Sequence, residues 1–186
     1  MNEQEVKTLL DAHAVIRPGH FLRASGRHSD HYVQCAGLFR QAAVGEVIGR
    51  ELAGHFREAG AQAVFSAAVG AILPGWEVSR ALGLPFIYCE RKDGAMTLRR
   101  GFSIEPGTAV LIVEDEVQTG TSVREMTEIV RALGGHVVGV GCIVDKSGGT
   151  LSLDAPFAAL YTQRVEHYSH KACPLCEAGI PLDAHG

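Results

Sequence analysis

Apolar and polar positions follow two rhythms along this chain, and the rhythm changes at punctuating glycines and prolines. From Glu3 to His13 the apolar residues fall at helical spacing, and Arg17-Pro18-Gly19 ends the run. Phe21 to Phe39 breaks into short apolar and polar runs around Ser25-Gly26, which predicts two short strands and a turn. Between Ala42 and Ala59, Val44, Val47, Ile48, Leu52 and Phe56 share one helical face, with Gly60 as the stop. Ala63-Val64-Phe65 suits a buried strand; Trp76 to Leu82 reads as a helix stopped by Gly83, and Pro85 to Cys89 as the next strand. Trp76 is expected in the core or between packed helices. Thr108 to Val113 is apolar without alternation, as in a parallel strand covered on both faces. Thr121 to Leu133 sets Val123, Met126, Val130 and Leu133 on one face before Gly134-Gly135, and Val137 to Val144 is again strand-like. Strand and helix patterns in turn predict an α/β fold, with a parallel central sheet and helices on both faces.

One segment keeps neither rhythm. Glu90 to Glu105 is polar and holds Arg91, Lys92, Arg99 and Arg100. It predicts a long mobile loop or a two-stranded flap, and loops of that length inside compact domains are usually functional.

Composition narrows the class. With 186 residues, 46% of them apolar, the chain supports one core and one domain over 1–186. A net charge of −4 speaks against a nucleic-acid partner. No apolar run approaches the roughly 18 residues of a membrane span, and the start Met1-Asn2-Glu3-Gln4-Glu5 is no signal peptide. Five cysteines, odd and sparse, suit a reducing cytoplasmic setting better than a disulfide scaffold.

The chemistry concentrates between Val110 and Ser122. An apolar strand delivers Glu114 and Asp115 to its carboxyl end, where α/β sheets open their ligand crevice. Gln118, Thr119, Gly120, Thr121 and Ser122 then turn into a helix. Gly120 tolerates φ > 0, the hydroxyls donate, and the helix N-terminus adds partial positive charge, so the turn can cradle a phosphate. The acids suit a sugar diol or a metal ion, since carboxylates accept hydrogen bonds and repel anions. The plainer alternative is a capped helix beside a solvated strand end. A Walker loop and a dinucleotide-binding glycine pattern are both missing.

Val110-Leu-Ile-Val-Glu-Asp-Glu-Val-Gln-Thr-Gly-Thr-Ser122 resembles the phosphoribosyl-diphosphate (PRPP) motif of type I phosphoribosyltransferases. Further stretches resemble the orotate phosphoribosyltransferase family: His20-Phe21-Leu22 with Ser25 to Ser29, Glu90 to Gly94 with Leu98 to Phe102, Val144 to Gly149, and Cys173-Pro174-Leu175-Cys176 before Gly179-Ile180-Pro181. The resemblance implies transfer of the 5-phosphoribosyl group from PRPP to orotate, giving orotidine 5-phosphate for de novo UMP synthesis. It implies a small hood built from 1–40 and the C-terminal tail, a mobile flap over 91–101, and a cytoplasmic homodimer that donates its flaps across the interface. Glu114 and Asp115 would hold the ribose hydroxyls and the Gln118–Ser122 turn the 5-phosphate, with Glu116 and Val117 also among the PRPP-binding residues. Arg91, Lys92, Val69 and Gly70 would face the pyrophosphate, with Arg99 joining the catalytic cations. Gln118, Lys146, Tyr32 and Val33 would meet orotate. Mg2+ would ride on PRPP without protein ligands.

Several positions depart from the family pattern. Gln118 stands where Thr is usual and Lys146 where Arg is usual, and lysine cannot form the bidentate fork on a carboxylate. Ala95 and Thr97 fall where some members carry a flap lysine and histidine, so Arg99 and Arg100 are expected to take over that charge; Ala24 replaces a frequent lysine. A transferase for another base and a non-catalytic PRPP-sensing regulator therefore stay open. The tail pattern His167-x-x-His170-x-x-Cys173-x-x-Cys176 spaces four possible zinc ligands. A packed or solvent-facing tail is the favoured reading. His20, His28 and His31 are expected at the surface and site rim rather than on a metal.

Overall fold

The computed structural model describes residues 1–23 and 25–184; Ala24 lies outside the described residues. Helix α1 (Glu3–Ala12) opens with a capping box. The Asn2 side chain accepts from the Glu5 amide at 2.9 Å and the Glu5 carboxylate accepts from the Asn2 amide at 2.8 Å, satisfying two otherwise orphaned donors. Next come β1 (Ile16–Leu22), β2 (His28–Val33), α2 (Ala42–Gly54), β3 (Ala63–Ala67), α3 (Ile72–Leu82), β4 (Phe86–Lys92) and β5 (Ala95–Leu98). The chain continues through β6 (Ala109–Val117), α4 (Thr121–Ala132), β7 (His136–Asp145), β8 (Phe157–Thr162), β9 (His167–Tyr168) and α5 (Pro174–Glu177).

Six strands form the central sheet in the order β5-β4-β3-β6-β7-β8, parallel except for β5 against β4. Alternate residues of the middle strands enter two cores. Val64, Leu111 and Val113 pack with Val6, Leu10, Ile48, Leu52 and Val78 from α1, α2 and α3. Phe65, Val110 and Ile112 pack with Val123, Met126 and Val130 from α4. Both registers are apolar, which is why the sequence shows no alternation there. From β3 the chain moves outward to β4, and from β6 it moves the opposite way to β7. Right-handed crossovers then place α3 and α4 on opposite faces, and the reversal opens a crevice at the carboxyl ends of β3 and β6.

Differences from the sequence pattern are local. Helix α2 stops at Gly54, short of Ala59, and the turns that follow carry Phe56 onto β7, where a Cβ on Gly139 or Gly141 would come within 2.8 Å of its ring. In α3, Pro74, Gly75, Val78 and Ser79 are the buried residues. Trp76 therefore falls on the flank, 53% exposed with its ring edge-on to Phe86, rather than in the core. The polar Glu90–Glu105 segment begins as a hairpin: β4 continues to Lys92, turns at Asp93-Gly94, and returns as β5 with Lys92 opposite Ala95. Among the described residues strand β8 pairs only with β7, and its two alanines dilute the apolar signal.

A second antiparallel sheet, β1-β2-β9, gathers the two ends of the chain. The tail closes on it: the Leu22 amide donates to the Asp183 carbonyl at 3.0 Å, and the Asp183 amide to the His20 carbonyl at 2.7 Å. Among the described residues no helix is long and apolar enough to cross a membrane.

Candidate active site

Strand β6 carries three consecutive acids, Glu114 to Glu116, just before its last residue, and strand geometry sends their side chains to alternate sides. Glu114 and Glu116 line a cleft of about 460 Å³ together with the Val117–Val123 turn and Lys146. Asp115 points the other way, toward the turn after β3. There an added Cβ on Gly70 would lie 2.4 Å from Asp115 Oδ2, so only glycine lets the two turns approach. The Asp115 carbonyl also accepts from Cys35 Sγ at 3.5 Å, tying the segment after β2 to the acid strand.

Burial sets the electrostatics. Loss of water pushes the Glu114 carboxyl well above the usual carboxylate range, and the neighbouring Asp115 and Glu116 charges add to the effect. Burial first, then Glu116, raises Asp115 to about 6. One cation answers this crowd: Lys146, only 4% exposed, donates from Nζ to Glu116 Oε1 at 2.6 Å, and its amide donates to the Val117 carbonyl at 2.7 Å. The other Glu116 oxygen, Oε2, is buried with no hydrogen-bond partner among the described residues. Desolvated acceptors of this kind favour a ligand rich in hydroxyls or carrying a cation.

The turn that follows is an anion cradle by construction. Gly120 takes φ +75°, a left-handed conformation that glycine adopts without strain, and twelve-residue α4 starts at Thr121. Its free amides and dipole point back at the turn. The Thr119 and Thr121 hydroxyls lie 2.9 Å apart. Arg124 fixes the turn from behind, donating to the Thr119 carbonyl at 2.6 Å and the Ser152 carbonyl at 3.3 Å. Gln118, on the cleft wall, donates to the Val165 carbonyl at 3.1 Å.

The remaining expected residues lie around this centre. Val69 is exposed in the β3–α3 turn. Tyr32, on β2, packs beside Phe21, with the Arg17 and Arg23 guanidinium groups 5.0 and 5.5 Å from its ring centre. Val33 points into the first core. In the hairpin, Arg91 pairs with Glu125 of α4 and donates to the Gly94 carbonyl at 2.6 Å. Arg99 and Arg100 both reach Glu90, at 3.4 and 2.7 Å, and the Arg100 hydrogen bond holds that carboxyl below its usual range. Lys92 is exposed. A larger cavity, about 770 Å³, lies between α4 and β7 near Arg131 and Asp154, and of the cleft and turn residues it shares Val123 and Arg124.

Sequence reasoning missed Arg124, Cys35, and the carboxylates Glu90 and Glu125 that hold the hairpin cations. It also expected His20 and His28 at the surface and site rim, whereas both are buried, because the hairpin that carries them is covered by the returning tail. Cys173 and Cys176 meet His20 and His28, across the β1–β2 hairpin, instead of His167 and His170.

This geometry coincides with clear likenesses. The family model described as "Phosphoribosyl transferase domain" matches residues 40–169. The chain belongs to that family, and its fold is the type I phosphoribosyltransferase fold. The orotate phosphoribosyltransferase of Caldanaerobacter subterraneus is 44% identical over 182 residues, 98% of this chain and 96% of that protein. That of Pelotomaculum thermopropionicum is 45% identical over 181 residues, 97% of this chain and 95% of that protein. The crystal structure of orotate phosphoribosyltransferase from Aeropyrum pernix shares the fold, with a TM-score of 0.69 at 21% identity, covering 84% of this chain and 93% of that one. Within the class, this chain belongs to the orotate phosphoribosyltransferase family.

Proposed function

We propose that this chain transfers the 5-phosphoribosyl group of PRPP to orotate, releasing pyrophosphate and forming orotidine 5-phosphate for UMP synthesis. The observation that carries the reading is the adjacent acids at the end of β6, Glu114 buried on the cleft side and Asp115 half-buried against the Gly70 turn, next to the Gly120 turn that starts α4. The turn from Gln118 to Ser122 holds the 5-phosphate on backbone amides, hydroxyls and the helix dipole. Glu114 and Asp115 accept from the ribose hydroxyls, whose donors replace the water that burial removed. As the bond to pyrophosphate lengthens, positive charge grows on the sugar and the same carboxylates favour it.

Orotate binds against Gln118 and Lys146, with Tyr32 from the hood segment on the other side; Val33, whose side chain lies in the core, offers only its backbone there. Because Glu116 already neutralises Lys146, the base carboxylate meets a cation that is shared, which is a looser grip than a bidentate arginine. Orotate carries an ionisable ring, so positioning rather than a strong protein base supplies most of the catalysis. Magnesium, carried on the pyrophosphate oxygens, would neutralise leaving-group charge. Glu114 and Glu116 in the cleft, and Asp115 on the side of the Gly70 turn, offer only oxygen donors, the type this hard ion takes, so the site fits it.

The chain works as a homodimer in this reading. Val69, Leu73 and Trp76 expose an apolar strip beside the crevice, 83%, 49% and 53% exposed, suited to a second copy. Arg91 and Arg99 then leave Glu125 and Glu90 and, together with Lys92, reach the neighbour's pyrophosphate, and closure excludes water. Five cysteines without disulfides fit the reducing cytoplasm. Pyrophosphate release from PRPP and magnesium, measured with orotate, uracil, adenine and hypoxanthine in turn, tests the proposal. Release with orotate alone supports it. Release with a purine instead contradicts the base assignment, and PRPP binding without release by any base contradicts catalysis.

A further inference from the structure

We propose that His20, His28, Cys173 and Cys176 form a zinc site that clamps the C-terminal tail onto the β1–β2 hairpin. The site is separate from the cleft, and its case does not depend on the reaction assigned there. Its ligands come from distant parts of the chain; Cys173 and His20 are 153 residues apart in sequence. His28 pairs with Leu22 across the hairpin, so His20, two residues back on the same face, lies on its diagonal. Cys173 caps α5 and Cys176 lies one turn on, so a Cys-x-x-Cys pair presents both sulfurs to one point.

Three sulfur–nitrogen edges among the four donor atoms already have about the length a zinc tetrahedron needs. His20 Nε2, His28 Nδ1 and the two sulfurs all lie within 4.8 Å of one another. Cys173 Sγ is 3.5 Å and Cys176 Sγ 3.8 Å from His20 Nε2, and Cys176 Sγ is 3.4 Å from His28 Nδ1. Zinc bonds of about 2.3 Å to sulfur and 2.0 Å to nitrogen give tetrahedral sulfur–nitrogen edges of about 3.5 Å. The two ring nitrogens, 2.8 Å apart, need to open by about 0.5 Å to reach the corresponding edge.

The surroundings support ligation. His20 Nδ1 lies 2.8 Å from the Ile180 carbonyl, which accepts its proton and leaves the Nε2 lone pair facing the sulfurs. This is the arrangement that orients metal-bound histidines. His20, His28 and Cys173 are buried while Cys176 closes the outer side. Two thiolates and two imidazoles, with no carboxylate, select zinc over magnesium or calcium, and four protein ligands make a closed structural site. The clamp therefore fixes the tail against the hairpin whose second strand ends at Tyr32 and Val33.

Metal analysis of the full-length protein, reconstituted with zinc under reducing conditions, tests this directly. One zinc per chain is expected, and the cobalt-substituted protein should show tetrahedral ligand-field bands with a sulfur-to-cobalt charge-transfer band. Cys176→Ser should weaken zinc binding by about 10²-fold or more, beyond the loss of a supporting hydrogen bond. His170→Ala, which alters the histidine that sequence spacing would choose, should retain the metal in full. A zinc chelator should lower the unfolding midpoint of the unmodified chain and leave that of Cys176→Ser unmoved. No zinc bound by a chain whose thiols are shown to be free would overturn the proposal. So would unaltered binding by Cys176→Ser, or loss of the metal in His170→Ala with retention in His28→Gln.

Discussion

The crevice at the ends of β3 and β6 and the junction of tail and hairpin both crowd polar groups into buried space, and they resolve the crowding in opposite ways. In the crevice three carboxylates share one lysine, one buried Glu116 oxygen has no partner among the described residues, and Asp115 is raised to about 6. At the junction four nitrogen and sulfur donors converge on one point, and the Ile180 carbonyl supports them from outside. The first arrangement is complete only when an exchangeable ligand supplies hydroxyls or cations. The second is complete with one resident ion. The contrast separates a region that sacrifices folding stability for ligand binding from one that adds stability where the chain's ends meet.

The comparison can be broken most forcefully at Gly70. A valine there drives its Cβ into the Asp115 carboxylate, and displacement on that scale costs about 10²-fold in orotate turnover. Steady-state kinetics should show the loss while circular dichroism stays that of the folded chain. Lys146→Met comes next, because it leaves Glu116 uncompensated. Urea unfolding should lose about 3 kcal/mol, the lower end of the usual range since Glu116 is partly hydrated. Adding Glu116→Gln should recover most of that loss, as a double-mutant cycle of a real pair requires. The smallest effect belongs to Arg124→Ala, which frees the Thr119 carbonyl and softens the phosphate turn. PRPP affinity by calorimetric titration should fall about 10-fold, the worth of one charged hydrogen bond.

The crevice was legible in the sequence because one uninterrupted stretch, Val110 to Ser122, writes out strand, acids, glycine turn and helix start. The opposed cores were legible for the same reason, as unbroken apolar runs in β6 and β7. The junction was not, since a pattern such as His167-x-x-His170-x-x-Cys173 sees only neighbours along the chain. It takes the pairing of β1 with β2, and the return of the tail to Phe21, to bring His20 and His28 to the cysteines. The anchors of the hairpin cations, Glu90 and Glu125, stayed hidden because pairing across the hairpin and to α4 leaves no local trace. Trp76 misled through its type: a large aromatic next to the buried Gly75 belongs to the helix flank, which only the packing of α3 on the sheet reveals.

The most direct measurement is Asp115→Asn, followed by orotate turnover and by thermal unfolding of the ligand-free protein across pH. Folding raises this carboxyl from 3.8 to about 6, so its acid form stabilises the folded chain fully below about pH 4, and that contribution is lost as pH rises through 6. At pH 8 the ionised group costs up to about 3 kcal/mol. The asparagine variant should therefore melt several degrees higher than the unmodified chain at pH 8, with the gap closing toward pH 4. In the same variant, turnover of orotate with PRPP should fall by about 10²-fold or more. A variant that melts lower at pH 8 and still turns over orotate at the unmodified rate would contradict the account.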